Sequence, residues 1–432
     1  MTLFIIVLNI LVIASITYNF FKKYTVAGEK SMFLIALSLK ILFGFGLSII
    51  YQYRYDGGDT WKYYHEAGKM ADYFLNDKAP IHKVVFSTHN EQELWDVMDF
   101  KNQPRAMLFV KCVFVLFVFT GGSFWLISTY LSLISFFGLW FLYHNVRFIQ
   151  SSFGPALYFA LFLWPSTVFW SSGLLKESLA LPIICLIIAT ALRYLYLNKK
   201  RWTEFLLILF AAFFLWKLKY FYAAILCPVL LSFSMIELAK NQSKIFNNRL
   251  FQSLAFGVLF LIFLGLSTYL HPNLRLTRVL EVISSNYELF EAKSMPGKFI
   301  EYSGLDSSLE SFIKNAPKAL FAGIFRPHPG DVKNIWSLFA AVENTLLIVL
   351  FTLWAWLKIK SKKWLSLMEF AILTYVVLLA TLLAFSAPNF GTLVRYKVGF
   401  LPFFVALITS GTLMTSKIKK ALPFISTGLN DQ

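Results

Sequence analysis

The sequence predicts an all-α, polytopic transmembrane bundle of about eleven spans. Three observations carry that prediction. Hydrophobic residues make up 58% of the 432 positions, only 15% are charged, and mean hydropathy is +0.63. A soluble domain is about half apolar and about a quarter charged. The apolar excess is gathered into runs of roughly 20 residues, the length that crosses a hydrocarbon core. A β-barrel would show short alternating segments instead. The 40 Lys and Arg residues outnumber 23 Asp and Glu, a net +17. They fall mainly between the runs, a positive-inside pattern that argues against nucleic acid as a partner.

The runs lie near 3–20, 31–51, 124–143, 153–170, 178–197, 204–237, 251–270, 337–357, 365–386 and 398–415. The first, MTLFIIVLNILVIASITYNFFKK, lacks a basic n-region and a small-residue cleavage site, and reads as a retained span. The long run 204–237 is interrupted by WKLKYFY and reads as two spans, with Lys217, Lys219 and Tyr220 at the turn. Cys112, Cys185 and Cys227 all sit in apolar runs, without metal or disulfide spacing.

Basic clusters orient the spans. If Lys22/Lys23/Lys30, Lys199/Lys200/Arg201, Lys240/Lys244/Arg249, Lys358/Lys360/Lys362/Lys363 and Lys417/Lys419/Lys420 all face the cytoplasm, the N-terminus is outside and the C-terminus inside. Within this single integral domain, 1–432, two long loops then face outward, 52–123 and 271–336. The short apolar segment 107–122 carries Lys111. It must be juxtamembrane or re-entrant for the parity to hold. The 271–336 loop reads as holding two short helices, around VLEVISSNYELF and SSLESFIKNAPKALF.

Candidate chemistry gathers on the outward side. YDGGDTWKYYHEAGK, 55–69, places Asp56 and Asp59 around a glycine turn. Either carboxylate suits a general base, or the two suit a divalent cation such as Mg or Mn. Capping of a helix starting at Trp61 is the other reading of Asp59. His65 is a candidate substrate contact or a structural histidine, and Glu66 is placed to pair with a lysine.

In WPSTVFWSSGLLKESLALP, 164–182, Pro165 and Gly173 break the helices, and Lys176 and Glu177 open the next span. Lys176 suits a phosphate or sugar, or snorkels to the interface. Glu177 suits a substrate contact or a helix N-terminus. Lys217 and Lys219 suit lipid-linked phosphate or lipid headgroups. FRPHPGDVKNIWSLFAAVEN brings Arg326, a candidate bidentate phosphate clamp, together with His328, Asp331 and Glu343, an intramembrane carboxylate. Arg395 and Lys397 precede the last span.

The order of these features resembles the GT-C superfamily of polytopic glycosyltransferases. The segments that carry the likeness are GGDTWKYYHEA, GGSFWLISTYLSLISFFGLWFLYHNVR and WPSTVFWSSGLLKESLALP. The resemblance implies transfer of a sugar from a polyprenyl-phosphate carrier to a glycan or lipid-linked acceptor outside a bacterial cytoplasmic membrane. It further implies that Asp59 activates the acceptor hydroxyl, and that Lys176, Lys217, Lys219, Arg326 and Arg395 hold the carrier phosphate. The acidic loop follows the second span here rather than the first, and its motif is Asp-Gly-Gly-Asp. A polymerase of lipid-linked repeat units and a transporter of lipid-linked sugar are the alternative readings.

Overall fold

The computed structural model describes residues 2–54, 57–76, 79–86, 92–197, 202–240, 242–293, 299–362 and 364–410. Among these the regular structure is helical. The extended pairing present is an isolated bridge, Phe299 with Asn389.

Two long apolar helices open the chain, α1 (Thr2–Tyr24) and α2 (Lys30–Arg54). Tyr51 then marks a turn in which Gly57 takes φ +85°, a conformation that glycine adopts at little cost. The amphipathic helix α3 (Gly58–Leu75) follows. It buries Tyr63, Ala67, Met70 and Ala71, a one-sided helical spacing, against α4 (Pro104–Thr120). Tyr63 meets Phe109 edge-on, Phe74 meets Phe114, and Trp61 stacks on Phe124 with centroids 4.4 Å apart. At 17 residues α4 is shorter than the spanning helices, and α3 covers one face of it.

Helix α5 (Phe124–Ile149) packs on α2 and along the later α7. Next comes an interrupted segment. A short helix, Gly154–Tyr158, runs into a π-turn, Phe159–Leu163, and Trp164 leaves the helical region. Pro165 then starts α6 (Pro165–Trp170) from the first helical position, where its missing N–H costs nothing. Gly173, at φ +67°, closes the turn into α7 (Glu177–Tyr196).

The helix α8 (Trp202–Lys240) is folded back on itself. Lys219 has non-helical angles, φ −148° and ψ 77°. Arg193 at the end of α7 donates to Glu204 at 2.9 Å, and the neighbouring Tyr196 bonds Glu237. Both ends of α8 therefore meet one end of α7, while Lys219 reaches Glu177 at the other. The two arms predicted across WKLKYFY are present.

After α9 (Arg249–Leu270) the second long loop holds α10 (Leu276–Lys293) and α11 (Leu309–Phe325), the two helices its sequence predicts. Helix α11 slants inward along α13 (Leu367–Ser386), from Phe312 against Phe385 to Gly323 against Ala380. Helix α12 (Ile335–Ser361) precedes α13. The chain then bends by 66° between Phe390–Gly399, which contains α14 (Phe390–Tyr396), and α15 (Leu401–Thr409).

Among the described residues eight helices are long and apolar enough to cross a membrane, and nine if the bent pair is one span. This is fewer than the roughly eleven spans that the sequence predicts, and the difference lies in two broken segments. The 204–237 run is two helical arms that meet at the non-helical Lys219 and are counted above as one helix, and the 153–170 run is cut by the π-turn and Pro165.

Two buried lysines help to hold the broken helices. Lys40 of α2 donates to the carbonyl and hydroxyl of Ser171, at 2.7 and 2.6 Å, just past the end of α6. Lys397 donates to the carbonyls of Ile324 and Arg326, at 2.8 and 2.6 Å, at the end of α11. A cation at a helix C-terminus satisfies orphan carbonyls and complements the macrodipole.

Candidate functional site

The site begins where α3 meets the bundle. Asp59 lies in the first turn of α3, not before it. The helix starts at Gly58, its N-cap is Gly57, and no side chain caps it. The capping reading of Asp59 is thereby corrected, because the glycine turn starts the helix two to three residues earlier than expected. The carboxylate is instead directed across the molecule. Its Oδ2 accepts from Nη1 of Arg395 at 2.8 Å.

Arg395 also faces Glu177, with Nε 3.5 Å from Oε1. Glu177, 1% exposed, accepts from Nζ of Lys219 at 2.5 Å. That ammonium lies 3.5 Å from the ring centroid of Tyr396. Charges thus alternate along Lys219, Glu177, Arg395 and Asp59, drawn from α8, α7, α14 and α3. Such alternation makes burial of several charges tolerable.

Lys176 stands beside this chain, its Nζ 5.1 Å from the ring centroid of Tyr63. Burial, reinforced by the nearby Lys219, pulls its ammonium from the ordinary lysine range down to about 8. Because Asp59 and Glu177 share Arg395, the first loop and the 164–182 turn lie on one face of the molecule.

Two cavities meet at this point. The first, of about 680 Å³, is the more polar of the two and includes Arg54, Asp59, Asp331, Lys333, Asn334 and Arg395. The second, of about 660 Å³, is an apolar groove along α2, α6 and α12, lined by Leu42, Phe45, Gly46, Ile49, Phe169 and Phe339 among others. Tyr51, Trp170, Trp336, Ala340 and Val394 line both. Glu343 lies in the groove wall. Its Oε2 accepts from the backbone N–H and hydroxyl of Ser166, at 3.1 and 2.8 Å. The intramembrane carboxylate therefore serves the N-terminus of α6.

The other predicted residues divide. Asp56 lies outside the described residues. His65 is on the exposed face of α3, against Trp61 and Tyr64, away from the cluster. Glu66 pairs with Lys69 at 2.5 Å, as its spacing predicts, and also accepts the N–H of Asp99. Lys217 is exposed beside Phe213, because the residue two before Lys219 points to the other side of the arm.

Arg326 is not a free clamp. Its Nε donates to Oδ2 of Asp331 at 2.9 Å, and Nη2 donates to the other oxygen. Although burial opposes it, Arg326 and the N–H of His328 hold the Asp331 carboxyl below its usual range. His328 caps its own turn, with Nδ1 accepting from Gly330. Arg326 and His328 thus shape the loop at the edge of the polar cavity.

Among the described residues no three His, Cys, Asp or Glu side chains could hold a metal ion together, and Asp59 is occupied by a guanidinium. Sequence reasoning missed Tyr51, Arg54, Trp170, Lys333 and Trp336. Their only signal was position, at the ends of α2, α6 and α12.

No protein-family profile matches the chain, and searches of curated proteins and of solved structures give no significant match.

Proposed function

We propose that this chain is a GT-C-like membrane glycosyltransferase. It moves a sugar from a polyprenyl-phosphate donor to a glycan or lipid-linked acceptor outside a bacterial cytoplasmic membrane. The observation that carries the reading is the meeting of a cavity that holds Arg54, Lys333 and Arg395 beside Asp59 and Asp331 with an apolar groove, across one aromatic collar. A phosphate on a long isoprenoid chain has that division of chemistry. The groove buries the chain at about 25 cal/mol per Å² of apolar surface, while the cavity receives the charged head.

In this reading the acceptor hydroxyl oxygen attacks the anomeric carbon. Its proton passes to Asp59, the bond from that carbon to the phosphate oxygen breaks, and the electron pair leaves with the phosphate. Arg395 and its neighbours stabilise the developing charge. The eleven-crossing topology counts both arms of α8, the interrupted 151–170 segment and the bent 390–409 segment as crossings. It sets Asp59 and the cations on the outer face.

A second reading has its own support. Helices broken at Trp164, Lys219 and Gly399 are the kind that transporters build around substrates. One experiment separates the two. Protein in nanodiscs is given radiolabelled polyprenyl-phosphate hexose and envelope glycolipids as acceptors. Label in a new glycosidic bond, abolished at least a hundredfold by Asp59→Asn, is the expected result. Label that crosses proteoliposome membranes without forming a bond overturns it in favour of transport.

A further inference from the structure

The cations of the polar cavity are not equally committed. Arg395 is shared between Asp59 and Glu177, and Asp331 is taken by Arg326. Arg54 and Lys333 line the same cavity, are exposed, and make no ion pair among the described residues. We infer that Arg54, Lys333 and Arg395 form one subsite for the phosphate of a lipid phosphodiester, and that the bound phosphate takes Arg395 from Asp59. The inference rests on the glycosyl-transfer reading and adds to it which residues hold the phosphate and in what order the substrates bind.

The geometry supports the exchange. Asp59 holds Arg395 by one nitrogen only, and its side chain is 44% exposed, so the pair is reachable. A guanidinium has five donors, and phosphate oxygens can accept two of them side by side. The collar of Tyr51, Trp170 and Trp336 puts the start of the apolar groove next to Arg395, so a chain lying in the groove delivers its phosphate there.

The exchange has a chemical consequence. The Oδ2 lone pair that accepts from Arg395 at 2.8 Å is not free for an incoming hydroxyl, and release of the guanidinium frees it. Asp59 therefore becomes competent only when the donor is in place, and the donor binds before the acceptor. Its pairing with Arg395 holds the base in reserve when the cavity lacks a phosphate.

The test is binding rather than turnover. A fluorescent polyprenyl phosphohexose is titrated into protein in neutral-lipid nanodiscs. The variants are Asp59→Asn, Asp59→Ala and the double variant Arg54→Gln/Lys333→Gln, each checked by thermal melting. Both Asp59 variants are expected to bind roughly five- to tenfold tighter than wild type, because the competing anion is gone. The double variant is expected to bind at least about tenfold more weakly. Wild-type binding with unchanged or weaker binding by the Asp59 variants overturns the exchange and leaves the glycosyl-transfer reading standing. Unchanged binding by the double variant overturns the subsite. Absence of wild-type binding removes the glycosyl-transfer reading itself. If the Asp59 variants fail to assemble, the double variant still decides the subsite, since both of its positions are exposed and make no ion pair among the described residues.

Discussion

Arg395 and Asp59, 336 positions apart in the chain, meet at 2.8 Å. This contact ties α14, at the start of the last bent segment, to the first turn of α3. It holds the packed pair α3 and α4 against the mouth of the cavity. Behind it, Glu177 and Lys219 carry the charge alternation into the bundle.

Glu177 is the hinge of that alternation. Glu177→Ala leaves Lys219 buried with no opposite charge, and breaking a buried pair costs about 3–5 kcal/mol. Thermal melting in nanodiscs is expected to fall clearly. The double variant Glu177→Ala/Lys219→Met, which removes both charges, recovers much of the loss.

Lys176 predicts a pH dependence. Its ammonium titrates near 8 in the folded protein, below the ordinary lysine value of 10.5. Between those two values the unfolded chain holds a proton that the folded one lacks, so stability rises with pH across that window. Below about 8 the cost of burying the charge is fully present. Lys176→Met is therefore expected to raise the melting temperature at pH 7, with the gain disappearing above the window. Binding of a lipid phosphodiester by wild type is expected to weaken a few-fold as pH rises through about 8, and the variant should lack that step.

Gly46 offers a clean probe of the groove. It lines the apolar cavity, and a Cβ placed there meets nothing within 4 Å. Gly46→Leu is expected to melt like wild type or slightly higher, since glycine is a poor helix former. Its side chain fills the groove, so transfer from a long-chain donor should fall more than tenfold. A short-chain analogue, whose tail does not reach that depth, should be used almost as well as by wild type.

Gly323 tests how closely α11 lies on α13. A Cβ there would stand 2.2 Å from the Ala380 carbonyl oxygen, which is backbone and cannot swing aside. Gly323→Ala is expected to destabilise by about 1–3 kcal/mol, read as a lower melting temperature. Gly265→Ala on α9, where space is open, should not destabilise and should gain up to about 1 kcal/mol from helix propensity.

Lys217→Ala is the control for the cluster. The side chain is exposed and stands apart from Glu177. Neither melting nor activity should change beyond about 0.5 kcal/mol. Lys219→Ala, by contrast, should lose both.

Much of the secondary structure was legible because apolar run length and helix breakers act locally. The fold-back at Lys219, the break at Pro165 and the two helices of the second loop all follow from residues within a few positions of one another. The membership of the cluster was also partly legible. Asp59, Lys176, Glu177, Lys219 and Arg395 each stand out as charges at the edge of an apolar run, where their desolvation needs a reason. Which charges are already neutralised was not legible. Arg326 and Arg395 look alike in sequence, yet one is closed on Asp331 and the other is shared between two carboxylates at the cavity.

The sequence by itself determined that the chain is a bundle of apolar helices, where those helices break, and which charges they bring to their ends. These properties depend on run length, on Pro and Gly, and on the cost of an unpaired charge in lipid. Only the tertiary structure decided that Asp59, Glu177, Lys219 and Arg395 form one network, and that Arg54 and Lys333 line a cavity joined to a groove without an ion pair among the described residues. Ion pairing and cavity shape depend on distances of a few ångströms between segments up to hundreds of residues apart. Those distances arise when the helices pack.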